Sequence, residues 1–213
     1  MLLSKRPIRS LMAAAIALAA VPAMAGESPY THAVFFGDSL TDAGYFRPLL
    51  PPGVQPVTGQ FTTNPGWVWS QQLANYYGLN GAANGNGQNG DNYAVGGARV
   101  SVEGSGALGP IPSLKSQAAR YLAANGGKAD ANALYTVWGG ANDLFAAAAA
   151  PAQAQAIIGA AVTDQIALVG ALKQAGAQYV LVPNLPNVGL APSFRGPNAG
   201  AATALSAGYN KAL

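Results

Sequence analysis

Ala33-Val34-Phe35-Phe36-Gly37 is the stretch that decides the fold. Four apolar residues that favour β structure stop at a glycine, which reads as a short buried strand. The pattern recurs at Ala133-Leu134-Tyr135-Thr136-Val137-Trp138, before Gly139-Gly140. It recurs again at Tyr179-Val180-Leu181-Val182, which ends at Pro183 and reads as another buried strand. Asn92 to Val95 is a shorter candidate strand, followed by Gly96-Gly97. Helical patterns lie between these runs. Asn64 to Tyr77 has Pro65 near its start and Gly78 beyond its end, and Pro112 to Asn125 stops at Gly126-Gly127. Pro151 to Ala175 carries Ile158, Val162, Ile166, Val169 and Leu172 at helical steps, predicting one apolar stripe capped by Gly176. Continuous apolar strands alternating with helices predict an α/β chain: a parallel sheet covered on both faces, in three α/β/α layers. Reactive groups in such sheets lie at the carboxyl ends of the strands. The residues after Phe36, Val95, Trp138 and Val182 should therefore share one rim.

Two further segments complete the pass along the chain. Gly78 to Asp91 is dominated by Gly, Asn, Ala and Gln and reads as a flexible loop. Its single carboxylate, Asp91, is too little for a calcium site. Ala199 to Leu213 reads as a helix with Leu205, Tyr209 and Leu213 on one side. No strand follows it, and the expectation is a sheet left incomplete at its C-terminal end.

Composition bounds the chemistry. The 213 residues are 50% hydrophobic and 9% charged, the opposite of a disordered composition. With no Cys, thiol catalysis and Cys-based zinc sites are excluded, and one His excludes a multi-histidine metal site. The net charge of +3 is concentrated at the start, where Lys5, Arg6 and Arg9 precede the apolar run Leu11 to Val21 and Pro22-Ala23-Met24-Ala25-Gly26. That is the pattern of a signal peptide, residues 1–25, cleaved after Ala25. The run is too short to span a bilayer, which takes about 20 residues, and no other segment reads as a membrane helix. Removing three of 11 basic residues leaves eight basic and eight acidic. A neutral chain lacks the basic clusters that nucleic acid requires.

The rim carries the candidate chemistry. Ser39 follows the strand-turn glycine in Gly37-Asp38-Ser39-Leu40-Thr41-Asp42, where its hydroxyl can face the cleft. A helix starting there would aim free N–H groups at the same spot, which suits a nucleophile whose attack creates an oxyanion. The alternative is that Asp38 or Ser39 only caps a helix. Gly97 offers an unobstructed N–H and Asn142 an amide, so Ser39, Gly97 and Asn142 could together surround a tetrahedral carbon. Tight turns with Asn142 as a helix cap are the alternative.

At these residues the sequence resembles the SGNH or GDSL serine hydrolases. Gly37-Asp38-Ser39-Leu40 resembles the family's first block, with Ser39 as nucleophile. Asn92 to Gly97 resembles the second, with Gly97 in the oxyanion position, and Gly140-Ala141-Asn142-Asp143 the Gly-x-Asn-Asp third, with Asn142 as second oxyanion donor. Ser28-Pro29-Tyr30, Asn132-Ala133-Leu134-Tyr135 and Leu172-Lys173-Gln174-Ala175-Gly176-Ala177 extend the likeness to esterase passengers of bacterial autotransporters. The resemblance implies a flavodoxin-like α/β hydrolase domain over residues 26–213. It implies an acyl-enzyme on Ser39, with Asp38 and Asp143 in support, and no metal or cofactor. It also implies a small-molecule or lipid ester as substrate, and export to the medium or outer membrane.

The departures matter as much. The family's late Asp-x-x-His block has no counterpart here, and after Asp143 the only acidic residue is Asp164. His32, the single histidine, precedes the first strand. Four or five residues at about 3.3 Å each separate it from the rim. The expectation is therefore the front part of a longer protein, itself inactive, with its general base and a β-barrel lying elsewhere. The competing expectation is a surface-exposed binding module that keeps the fold without catalysis. Tyr45-Phe46-Arg47-Pro48-Leu49-Leu50 and Trp67-Val68-Trp69 are candidates for an acyl pocket or for plain core.

Overall fold

The computed structural model describes residues 28–62, 66–194 and 196–213. The signal-peptide reading lies outside them, as do Asn64 and Pro65; the helix expected from Asn64 begins at Trp69, after an extended Val68. The elements are β1 (Ala33–Gly37), α1 (Trp69–Tyr76), β2 (Asn84–Gly85), β3 (Gln88–Asn89), β4 (Gly104–Gly106), β5 (Gly109–Ile111), α2 (Leu114–Ala124), β6 (Leu134–Trp138), α3 (Ala141–Ala149), α4 (Ala154–Gln174), β7 (Tyr179–Leu181) and α5 (Ala199–Ala212).

The sheet is parallel in the order β1-β6-β7, with Ala33 opposite Leu134 and Gly37 opposite Trp138. On the other side of β1, residues 91–95 run parallel to it. Phe35 N–H donates to the Asp91 carbonyl (3.0 Å), Tyr93 N–H to Phe35 (2.8 Å) and Val95 N–H to Gly37 (3.1 Å). In chain order the parallel segments thus lie second, first, third, fourth. This is the flavodoxin-like arrangement, and its order reverses between β1 and β6. Side chains alternate across the strand. Val34 and Phe36 join Tyr135, Val137, Leu114 of α2 and Leu172 of α4 in one buried cluster. Ala33 and Phe35 face the other way, against Ala74, Trp69 and Leu73 of α1. Helices therefore cover both faces, as the alternation of elements predicts.

Four expectations are corrected. The loop over 78–91 contains the β2–β3 hairpin, closed by Asn86 (φ 50°) and Gly87 (φ 83°). Asn-Gly is the pair that a two-residue hairpin turn selects, because both positions need positive φ. β7 is not a buried strand: Tyr179 and Leu181 are 46% and 44% exposed, since among the described residues β7 pairs only with β6. The buried face of α4 runs through Ala161, Val162, Gln165, Leu168 and Leu172, leaving Ile166 51% exposed. The predicted stripe is thus rotated, because Gln165 turns inward to accept the Tyr209 hydroxyl of α5 (2.6 Å). Finally, Pro151–Gln174 is, at 24 residues and a mean hydropathy of 1.5, long and apolar enough to cross a membrane by length and composition alone.

Candidate functional site

β1 ends where it meets the reversal point, and the chain turns there without starting a helix. The Asp38 carbonyl accepts the N–H groups of Thr41 and Asp42, both at 3.0 Å, and the Asp38 carboxylate accepts Leu40 N–H at 3.0 Å. The free N–H groups expected of a helix start are replaced by those of this turn. Ser39 N–H has no hydrogen-bond partner among the described residues. The turn needs glycine at its base, since a Cβ on Gly37 would lie 2.8 Å from both Thr41 Oγ1 and the Trp138 carbonyl.

β6 leads through Gly139 to Gly140, whose φ of 110° and whose closeness to Tyr209 exclude any side chain; a Cβ there would meet the Tyr209 ring at 2.4 Å. α3 begins at the next residue. Its first turn is stitched to the segment after Val95. Asn142 Nδ2 donates to the Ala98 carbonyl (2.9 Å), which leaves its second N–H free of that bond. The buried Asp143 carboxylate accepts Arg99 Nε (2.9 Å) and Val100 N–H (3.0 Å). Burial lifts the Asp143 carboxyl above its ordinary value, while Val100 and Arg99 oppose the shift.

Ser39 and Asn142 line one cavity of about 480 Å³, together with Asp38, Leu40, Phe145 and, beyond β7, residues 186–188, 190 and 191. Three of the four strand ends thus reach the same opening. Gly97 does not line it. It stands exposed on the neighbouring turn, its N–H without a partner among the described residues, and is linked to the cavity through Asn142 and Ala98. Asp38 is 2% exposed and its Oδ2 has no partner. Burial pushes its carboxyl up to about 6, and the nearby Asp143 and Asp42 carboxylates act in the same direction.

Asp42 and Gln117 organise the site without having been singled out in the sequence. One Asp42 oxygen accepts Gly44 and Tyr45 N–H and the other Gly96 N–H, all at 2.7 Å, so it clamps the β1 turn to the turn that carries Gly97. Asp two residues before Gly was its available signal, as side-chain-closed turns favour it. Gln117 is fully buried; its Oε1 accepts Gly37 N–H (2.9 Å) and its Nε2 donates to the Gly37 carbonyl (3.0 Å). A lone amide on the apolar face of α2 carries no such signal. Neither aromatic segment proposed for an acyl pocket lines the cavity: Tyr45 is core, and Trp67 is 50% exposed elsewhere.

His32 lies at the opposite end of β1, with a side chain 57% exposed and Nδ1 3.1 Å from Asp91 Oδ2. It shares a different, polar cavity with Asn84, Asp91 and Asp130. From there to Ser39 the strand alone spans roughly 16 Å.

Comparison with known proteins fits this arrangement. A family profile described as GDSL-like Lipase/Acylhydrolase matches residues 34–213. Lipase 1 of Photorhabdus luminescens is 31% identical over 174 residues, which is 82% of this chain and 25% of that protein. Esterase EstA of Pseudomonas aeruginosa is 33% identical, covering 89% of this chain and 34% of its own. Phosphatidylcholine-sterol acyltransferase of Aeromonas hydrophila is 30% identical, covering 93% and 58%. The chain therefore spans between a quarter and about three-fifths of the length of these relatives.

Proposed function

Because the chain belongs to the family of GDSL-like lipases and acylhydrolases, we propose that it carries the nucleophilic half of a serine ester hydrolase. The observation that carries this reading is the meeting of Ser39 and Asn142 in one apolar-walled cavity at the reversal point of the sheet. Ser39 Oγ attacks the ester carbonyl, and its proton passes to a base and then to the departing alcohol. The acyl group remains on Oγ until water, deprotonated in the same way, attacks it and restores Ser39. The carbonyl oxygen, negative in the tetrahedral intermediate, accepts from Ser39 N–H and the free N–H of Asn142 Nδ2, and Gly97 N–H, exposed on the neighbouring turn, completes the set once the substrate carbonyl spans the two turns. Asp38 and Asp143 hold the two turns and do not touch the reacting atoms.

The base is not His32, which faces solvent at the far end of β1. In this reading a group other than this histidine, the single imidazole of the 213 residues, takes the proton. Residues 1–25 direct export, and the site works outside the cytoplasm, in the medium or at the outer membrane. The same position of His32 favours the second reading, a binding module without turnover. Residues 26–213, treated with a serine-reactive fluorophosphonate, separate the two readings. Slow mass addition at Ser39, absent in Ser39→Ala, together with only trace ester turnover, is the expected result. No addition favours the binding module, and equal addition in Ser39→Ala rejects Ser39 as nucleophile.

A further inference from the structure

A second apolar cavity, of about 760 Å³, lies between α3 and α5. Phe145, Ala148, Pro151, Phe194, Ala201 and Leu205 are among the residues around it. Phe145 also lines the Ser39 cavity, and among the described residues it is the one side chain common to both. Its ring stacks on Phe194 with centroids 5.4 Å apart and planes 13° from parallel. Residues three apart on a helix share a face. Asn142, Phe145 and Ala148 therefore succeed one another along α3. At a rise of about 1.5 Å per residue, Phe145 lies about 4.5 Å beyond Asn142 and Ala148 about 9 Å beyond it.

We infer that Phe145, held by Phe194, is the wall that sets how long an acyl chain the Ser39 cavity accepts. The second cavity is the space a longer chain enters once that wall is removed. The inference rests on the ester-hydrolase reading for its ligand, a straight-chain acyl ester, and on continuity of the two cavities for its path. The occupant is an acyl chain because, beyond Ser39 and Asn142, most of the lining is apolar: Leu40, Phe145 and Leu190 in the first cavity and Phe194 and Leu205 in the second. Against these stand the polar Asp38 and Asn187 in the first and Ser193 and Asn198 in the second.

Binding can be read without turnover. In Ser39→Ala protein (residues 26–213), methyl esters of butanoic, hexanoic, octanoic and decanoic acid are titrated against an apolar fluorescent dye, below their solubility limits. Each methylene that reaches apolar wall should tighten binding about fourfold. With Phe145 present, the gain stops before decanoate. With Phe145→Ala added it continues to decanoate, which binds at least about tenfold more tightly than in the parent. Adding Ala148→Phe to that protein refills the second cavity and restores the earlier limit. Phe145→Leu, which keeps an aliphatic contact with Phe194, gives an intermediate limit and covers the case in which the alanine variant does not fold. The same limit in all these proteins, or a parent that gains up to decanoate, overturns the inference. If the parent with Ser39 fails to react with phosphonate while this binding pattern holds, the hydrolase reading falls and the wall stands. If Ser39 reacts and the chain-length pattern ignores Phe145, the wall falls and the hydrolase reading stands.

Discussion

The two ends of the sheet differ in how they treat a carboxylate. At the N-terminal end, Asp91 faces an exposed His32 across a polar, solvent-reached cavity. At the C-terminal end, Asp38, Asp42 and Asp143 are all buried to within 2% of full, and two of the three are saturated by backbone and side-chain donors. An exposed pair is screened by water and contributes little. A buried carboxylate that accepts several N–H groups fixes the backbone that donates them. The contrast teaches that the C-terminal rim buries the carboxylates that hold its turns, while the N-terminal rim leaves Asp91 and Asp130 within reach of solvent.

The strongest test of that contrast is Ser39→Ala. It should abolish phosphonate labelling, seen by intact mass, and leave far-UV circular dichroism unchanged, because a half-buried hydroxyl without a hydrogen-bond partner contributes little to stability. Asn142→Ala comes next. Loss of one preorganised oxyanion donor should slow acylation of Ser39 by an activated ester by roughly 10²–10³. Part of that loss would come through the Ala98 carbonyl, which Asn142 also binds. Asn142→Ala labelling at the parent rate would show that the rim positions nothing for chemistry.

How much of this was legible follows from what each residue does locally. The strands at Phe36 and Trp138 were legible because a buried strand is written in its own apolar run. So were the positions of Ser39 and Asn142 at the rim, because strand ends fix them. The outward face of β7 was not, since Tyr179-Val180-Leu181 reads the same whether or not a neighbour covers it. The rotation of α4 was not, because it depends on one hydrogen bond between Gln165 and Tyr209, 44 residues apart. Asp42 reaches Gly96 across 54 residues. Phe145 looks like any helix residue until Phe194 is beside it.

A smaller effect separates the two ends by pH. The buried Asp38 carboxyl holds its proton up to about 6, against 3.8 when unfolded. A folded value above the unfolded one means that this group favours the folded state below about 4, and that the advantage is lost as pH rises through about 6. About two units correspond to about 3 kcal/mol. Asp38→Asn keeps an acceptor for Leu40 N–H and carries no charge, at the cost of an unpartnered amide N–H of about 1 kcal/mol. Urea unfolding should then show the variant about 2 kcal/mol more stable than the parent near pH ~8 and no more stable near pH ~4. A gain that is equal at both pH values would mean that burial does not raise the Asp38 carboxyl, which would then titrate alike in the folded and unfolded chain.

The smallest effect is expected at the other end, from His32→Gln. The side chain is 57% exposed and its one partner among the described residues, Asp91, is also solvent-reached. Exposed pairs contribute about 0.2–1 kcal/mol, so unfolding should shift by about 0.5 kcal/mol or less and phosphonate labelling of Ser39 should not change. A route between the ends does exist: Asp91 begins the segment whose far end carries Gly97, so a slip of that segment along β1 would move an oxyanion donor. Three backbone bonds to β1 oppose such a slip. So does Asn92, whose buried amide donates to the Thr41 carbonyl (2.7 Å) and to Ser70 Oγ (2.9 Å). A slip by one residue would break all of these and turn Val95 from the core to the opposite face. That cost far exceeds anything the exposed pair can supply. Slower labelling in His32→Gln, with stability unchanged, would therefore mean that His32 reaches Ser39 by some other arrangement of the chain, and the separation of the two ends would be wrong.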